Sequence, residues 1–180
     1  ARLGAGTSGQ VLQTGGSGAN PSWVDASAGI TEADQWRLST DATGNGQLVS
    51  GIERNDSTGF EKIGTGMTLS SGYWSFPQTG IYYVRFNLSA YADGSGGNDA
   101  NITGSIYVTT NNSTYTNVAE GRCRADGNWA TGIAETFVDV TNTSNVKVYF
   151  NKENLNTGTY IKGNSDKNHT TFTFIRLGDT

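Results

Sequence analysis

From Gly80 to Ala92 the chain alternates with period two. Tyr82, Val84, Phe86, Leu88, Ala90 and Ala92 hold one parity; Ile81, Tyr83, Arg85, Asn87, Ser89 and Tyr91 hold the other. Successive side chains of a strand point to opposite faces, so the apolar set belongs in a core and the mixed set outside it. The pattern returns in shorter windows. Ile102, Ile106 and Val108 alternate with Thr103, Ser105 and Tyr107, and Val146, Val148 and Phe150 alternate with Lys147 and Tyr149. Near the end, Phe172 and Phe174 share one side while Thr173, Ile175 and Leu177 share the other, which reads as a strand buried on both faces. Turn formers interrupt these windows at short intervals, among them Gly44-Asn45-Gly46, Asn111-Asn112, Asp126-Gly127-Asn128 and the run 142–145. Helical periodicity is absent beyond a single short turn expected within 24–34. Many short strands so spaced predict an all-β sandwich of roughly eight to ten strands.

The apolar supply for such a sandwich is thin. Leu, Ile, Val and Phe number 34 of 180 residues, or 19%, just under the level at which disorder becomes a serious reading. Disorder also requires a high net charge, and here the charge is −4 with 11% aromatic residues. The chain therefore folds, but with few large aliphatics. A monomer of this length buries roughly 70% of the surface that its unfolded chain exposes, and the shortage predicts further burial in an oligomer.

Two regions differ in texture. Residues 1–33 hold seven glycines and few large apolar side chains: Leu3, Val11, Leu12, Trp23, Val24 and Ile30. Gly15-Gly16-Ser17-Gly18-Ala19-Asn20-Pro21 is a cluster of turn formers. Such a segment cannot build a core alone; it is a linker or an extended arm that gains structure against other chains. Residues 34–180 carry the sandwich.

Several kinds of chemistry find little support. No run approaches the roughly 18 apolar residues of a membrane helix. No charged-then-apolar leader opens the chain, and a start at Ala1 without Met is what processing or trimming leaves. The 12 Lys and Arg residues are scattered singly in an acidic chain of pI near 4.9, which argues against a nucleic-acid groove. Cys123 is the one cysteine and His169 the one histidine, so an intrachain disulfide is impossible and a zinc site lacks ligands. Neither residue sits in a nucleophile–base motif; His169 reads as a loop-edge residue and Cys123 as a small buried hydrophobe. Glu120, Glu135, Asp139 and Glu153 are the carboxylates available for glycoside hydrolysis. Glu135 and Asp139 on one strand would stand roughly 13 Å apart, outside the roughly 6.5–9.5 Å that inverting enzymes use. No enzyme is expected. The loop from Asp93 to Asp99 offers oxygen ligands and glycines, a calcium candidate that lacks the EF-hand spacing. No other cofactor is expected, and an ordinary exposed hairpin loop is the simpler reading of that segment.

Two stretches resemble known groups. Gly6-Thr-Ser-Gly9-Gln10-Val11-Leu12-Gln13-Thr14, the glycine-rich turn and Pro21-Ser22-Trp23 form a pattern similar to one in bacteriophage fibre and appendage proteins. In that group the pattern serves trimeric stems or attachment to the virion, which implies an anchoring role for Val11, Leu12, Pro21 and Trp23. Trp74-Ser-Phe76-Pro77-Gln-Thr-Gly80-Ile81-Tyr82-Tyr83-Val84-Arg85-Phe86, with the later His169-Thr-Thr-Phe172-Thr-Phe174-Ile175-Arg176-Leu177, resembles the tumour-necrosis-factor and complement-head jelly rolls. That resemblance implies a jelly-roll knob in a tight homotrimer, with aromatic side chains near the three-fold axis; Tyr83, Tyr149 and Phe174 are the candidates by position. The abundance of Asn and Thr and the lack of a collagen stalk favour a phage source. The expected function is a virion structural protein. Its arm would contact other virion proteins, and its knob would meet a host surface glycan or protein as a fibre or spike tip. A capsid-decorating or head-fibre protein and a soluble carbohydrate-binding module are the alternatives.

Overall fold

The computed structural model describes residues 3–26, 29–59, 61–93 and 99–180. Two short strands, β1 (Gln10–Gln13) and β2 (Ser22–Asp25), come first. Then follow β3 (Ala33–Leu38), β4 (Gly46–Gln47), β5 (Ile52–Arg54), β6 (Thr68–Ser70) and β7 (Tyr73–Ser75). The long strands are β8 (Gly80–Ala92), β9 (Asp99–Thr109), β10 (Thr116–Ala125) and β11 (Trp129–Val140). β12 (Lys147–Glu153), β13 (Thr159–Ile161) and β14 (Thr171–Gly178) end the chain.

β3 to β14 make two antiparallel sheets in the orders β5–β3–β14–β8–β11 and β6–β7–β12–β9–β10, with β13 added beside β8 and β4 beside β12. Consecutive strands repeatedly land in opposite sheets, the double Greek-key wiring of a jelly roll. Ten strands lie on the two main paths, as the alternation and turn spacing predict. Among the described residues no helix forms; within 24–34, where the sequence predicts a short turn, β2 supplies the first two residues and β3 the last two, and 27–28 lie outside the described residues.

Packing explains how a chain poor in aliphatics closes a core. Phe86, Phe172 and Phe174 from one sheet meet Trp74 and Phe150 from the other, and all five rings are buried. Phe150 and Phe172 lie 4.8 Å apart, Trp74 and Phe150 4.9 Å, and Phe86 stacks on Phe172 at 5.3 Å. Each ring brings more apolar area than an aliphatic, and the edge-to-face pairs add attraction beyond area. All six even-numbered residues from Tyr82 to Ala92 are buried, as their alternation requires.

At one side the sheets close without side chains between them. A Cβ on Gly121 of β10 would stand 2.2 Å from the carbonyl carbon and oxygen of Ile133 on β11, so the two backbones touch there. Gly132 faces the same crossing with more room, 3.2 Å from the nearest atom.

Two buried carboxylates fasten the entry to the knob. Glu32 accepts hydrogen bonds from the backbone N–H groups of Thr65 and Gly66 and from Gln78 Nε2. Asp34 accepts from Met67 N, Trp36 Nε1 and the Arg54 guanidinium. Upstream, the arm does not run extended throughout: β1 and β2 pair as a hairpin, with Val11 opposite Val24 and Leu12 opposite Trp23. Among the described residues, the hydrogen bonds of residues 3–26 close within that stretch, including Trp23 Nε1 to Gly4 O at 2.7 Å.

Candidate functional site

β14 is not buried on both faces. Phe172 and Phe174 enter the core, but Ile175 is half-buried and Leu177 exposed, because a two-layer sandwich covers each sheet on one side only. The outer face of the β5–β3–β14–β8–β11 sheet therefore offers apolar surface for further burial. Phe137 on β11 stands opposite Tyr83 on β8, Tyr83 opposite Ile175 on β14, and Ile175 opposite Ala33 on β3, which bridges to Ile63. An apolar row thus runs from β11 across β8 and β14 to β3 and on to Ile63. Phe137 is 68% exposed and Leu177 57%, with Ile63 and Ile133 also open.

Polar groups flank the row. Tyr83 Oη donates to Glu135 Oε2 at 2.6 Å, and its ring lies 6.0 Å from that of Phe137. The bond to the Glu135 carboxylate holds the Tyr83 hydroxyl above its usual pKa. Arg85 stands directly opposite Glu135, and its Nε is buried without a hydrogen-bond partner among the described residues. An unmade bond of this kind costs about 1–3 kcal/mol, and an acceptor from outside the chain would recover it.

The three residues expected at an axis do not lie together. Tyr83 is on this face. Phe174 points between the sheets at 1% exposure and is a core residue. Tyr149 lies on the outer face of the other sheet, stacked on Tyr107 at 4.7 Å and in ring contact with Tyr73 and Tyr115. Alternation alone gives the parity of a residue but not the sheet to which its strand belongs. The exposed Phe137 and Ile133 escaped sequence reading, although both occupy the parity opposite to the buried Ala134, Val138 and Val140.

In the arm, Val11, Leu12 and Pro21 are exposed, and Trp23 is half-buried against the Gly4–Gly6 segment. Asp99 is buried, and its carboxylate accepts bonds from Asn156 N, Asn156 Nδ2 and Thr159 Oγ1, so it holds the turn after β12. The intervening residues 94–98 of that loop lie outside the described residues, and Asp93 donates its N–H to Gly158 O. His169 packs its ring 5.0 Å from Trp129. Cys123 is half-buried on β10, and burial pushes its thiol up to about 11. Glu120 pairs with Arg122, an exposed contact that lowers its pKa, and Glu153 accepts from Asn151.

No protein-family model matches the chain, and no curated protein sequence matches it. Solved structures do. Murine APRIL superposes with a TM-score of 0.56 at 7% identity, over 81% of this chain and 98% of that one. The globular domain of zebrafish complement 1qA gives 0.52 at 11% identity, over 83% and 99%. The PRD1 vertex protein P5 gives 0.52 at 15% identity, over 84% and 100%. With strand orders and superpositions in agreement, the knob has the jelly-roll fold that tumour-necrosis-factor-like and complement-head proteins share with the vertex protein.

Proposed function

We propose that this chain is a phage virion structural protein: a homotrimeric jelly-roll knob, held to the particle through residues 1–33 and turned outward toward a host surface, with no catalysis of its own. The observation that carries the reading is the uncovered apolar row Phe137–Tyr83–Ile175, with the buried Arg85 Nε beside it lacking a hydrogen-bond partner among the described residues. Monomers rarely leave such a contiguous patch open. Two further copies around an axis would cover the row, and the shared fold of a vertex protein supports a place on a particle. The arm fits anchoring because Val11 and Leu12 point to opposite sides of a two-stranded ribbon, and both are half exposed.

Sedimentation of the purified full chain at low micromolar concentration tests assembly, with a trimer expected. Phe137→Asp, which leaves the core untouched, should yield folded monomer; a wild-type chain that sediments as a stable monomer overturns the reading. Removing residues 1–29, which spares Glu32 and β3, should abolish incorporation into particles while the knob still trimerises, and particles that retain the shortened chain refute the anchoring role.

A further inference from the structure

We propose that the outer face of the β6–β7–β12–β9–β10 sheet carries a binding site for an acidic saccharide, in a cleft beside the tyrosine cluster. The cleft, about 400 Å³, is lined by Ser70, Ser71, Tyr73, Ser75, Asn112, Ser113, Tyr115 and Lys147. It lies on the sheet opposite the Phe137 row, so assembly through that row leaves it open. Its elements come from three places in the chain: the β6–β7 hairpin, the β9–β10 loop and the first residue of β12.

The chemistry of the lining selects the ligand. Tyr73, Tyr115 and Tyr149 meet one another with ring centroids 5.0–5.7 Å apart, which holds the two cleft tyrosines in fixed orientations. Fixed aromatic rings offer an apolar face with a polar rim at low entropic cost, as the C–H face of a sugar ring requires. Among the described residues, the four serine hydroxyls, the Asn112 amide, the Tyr73 and Tyr115 hydroxyls and the Lys147 ammonium make no side-chain hydrogen bond or ion pair with the protein. A comparable cleft at 40–50 differs: there Asp41, Gln47 and Lys152 are already bonded to Gly163, Gly72 and Gly44.

The free groups are nonetheless held in place. Asn111 Oδ1 accepts from Ser113 N and Thr114 N, and Asn112 N donates to Asn145 O, so the backbone of the loop is fixed while the Asn112 side chain stays free. Burial also raises the Tyr115 hydroxyl above its usual pKa. Lys147 is the one charged residue lining the cleft, with no carboxylate among the lining groups to neutralise it. A polyhydroxyl ring bearing a carboxylate or sulfate satisfies all of these at once.

The proposal deepens the attachment reading, on which it rests for biological role but not for binding. The test is a glycan array of sialylated, uronate-containing and sulfated oligosaccharides beside their neutral counterparts, probed with the full chain, followed by titration of the strongest acidic binder. Retention of acidic over neutral glycans is expected, with Tyr115→Ala and Lys147→Gln each weakening the titrated affinity by about tenfold or more. Both variants should keep the wild-type sedimentation, and Lys147→Gln, which leaves the tyrosine rings in place, should keep the melting temperature as well. Failure to retain any acidic glycan, or affinity unchanged in both variants, overturns the site. Sedimentation of the same sample reports separately on trimer assembly.

Discussion

Replacing Gly121 with alanine tests whether backbone contact closes the sandwich between β10 and β11. The added methyl would lie 2.2 Å from the carbonyl carbon and oxygen of Ile133 and 2.6 Å from its nitrogen. These are backbone atoms, so no rotamer change relieves the clash, and ordinary contact begins only at 3.4 Å. The strands must part by about 1 Å, a gap that forfeits a quarter to half of the dispersion well for each contact along the crossing. Overpacking costs about 1–3 kcal/mol, and a clash confined to backbone belongs at the upper end. At about 2–4 °C per kcal/mol for a chain of this size, Gly121→Ala should lower the melting temperature by about 6–12 °C. Gly132→Ala, whose nearest contact is 3.2 Å, should cost about 1 kcal/mol or less. Both are read by far-ultraviolet circular dichroism at one protein concentration, because assembly makes melting concentration-dependent. Gly121 does not have a left-handed φ, so no backbone strain adds to the clash, and the entropy that alanine removes from the unfolded chain offsets only about 0.4–1 kcal/mol of it. If Gly121→Ala melts within about 2 °C of wild type, or no lower than Gly132→Ala, the crossing does not close the fold.

Phe172→Ala should cost about 3–5 kcal/mol in urea unfolding, since its ring meets Trp74, Phe86 and Phe150 at 4.8–5.3 Å. Cys123, its thiol pushed up to about 11 by burial, should react with a disulfide reagent at pH 8 about tenfold more slowly than free cysteine, or slower still. Tyr82, its hydroxyl pushed up to about 12 by burial and then by Glu32, should make the fold less stable in alkali. The unfolded chain ionises first, so stability falls as pH rises from about 10 toward 12. Denaturant midpoints across that range should show the fall and Tyr82→Phe should reduce it.

The strands that build the core were legible because their physics is local. Tyr82, Val84, Phe86 and Leu88 need only alternate to be assigned inward, and Asn111-Asn112 and Asp126-Gly127-Asn128 need only their turn chemistry to mark chain reversals. Sheet membership is a long-range property. Tyr83 and Tyr149 show the same parity signal, yet they lie on opposite outer faces because β8 and β12 belong to different sheets. Phe174 read as an interface residue because it sits in an aromatic-rich last strand, where its true neighbours, Trp74 and Phe76, come from a hundred residues earlier. The double burial expected of β14 had a similar origin: Ile175 and Leu177 are apolar, but a single chain has no third layer to lay over them. The tyrosine-lined cleft was least legible, for it joins Ser70–Ser75, Asn112–Tyr115 and Lys147 only once the sheet has formed.

The two outer faces of the sandwich have different consequences when the chain is counted in threes. In the proposed trimer, a cleft on the face turned away from the axis is repeated three times on one head, each copy looking outward in its own direction. Where a particle carries many such heads, proposed sites that each hold a sugar weakly act jointly, and tethering of this sort raises overall avidity by about 10²–10⁴ with no new contact. Weak individual grips let the head sample and release, while many heads together hold.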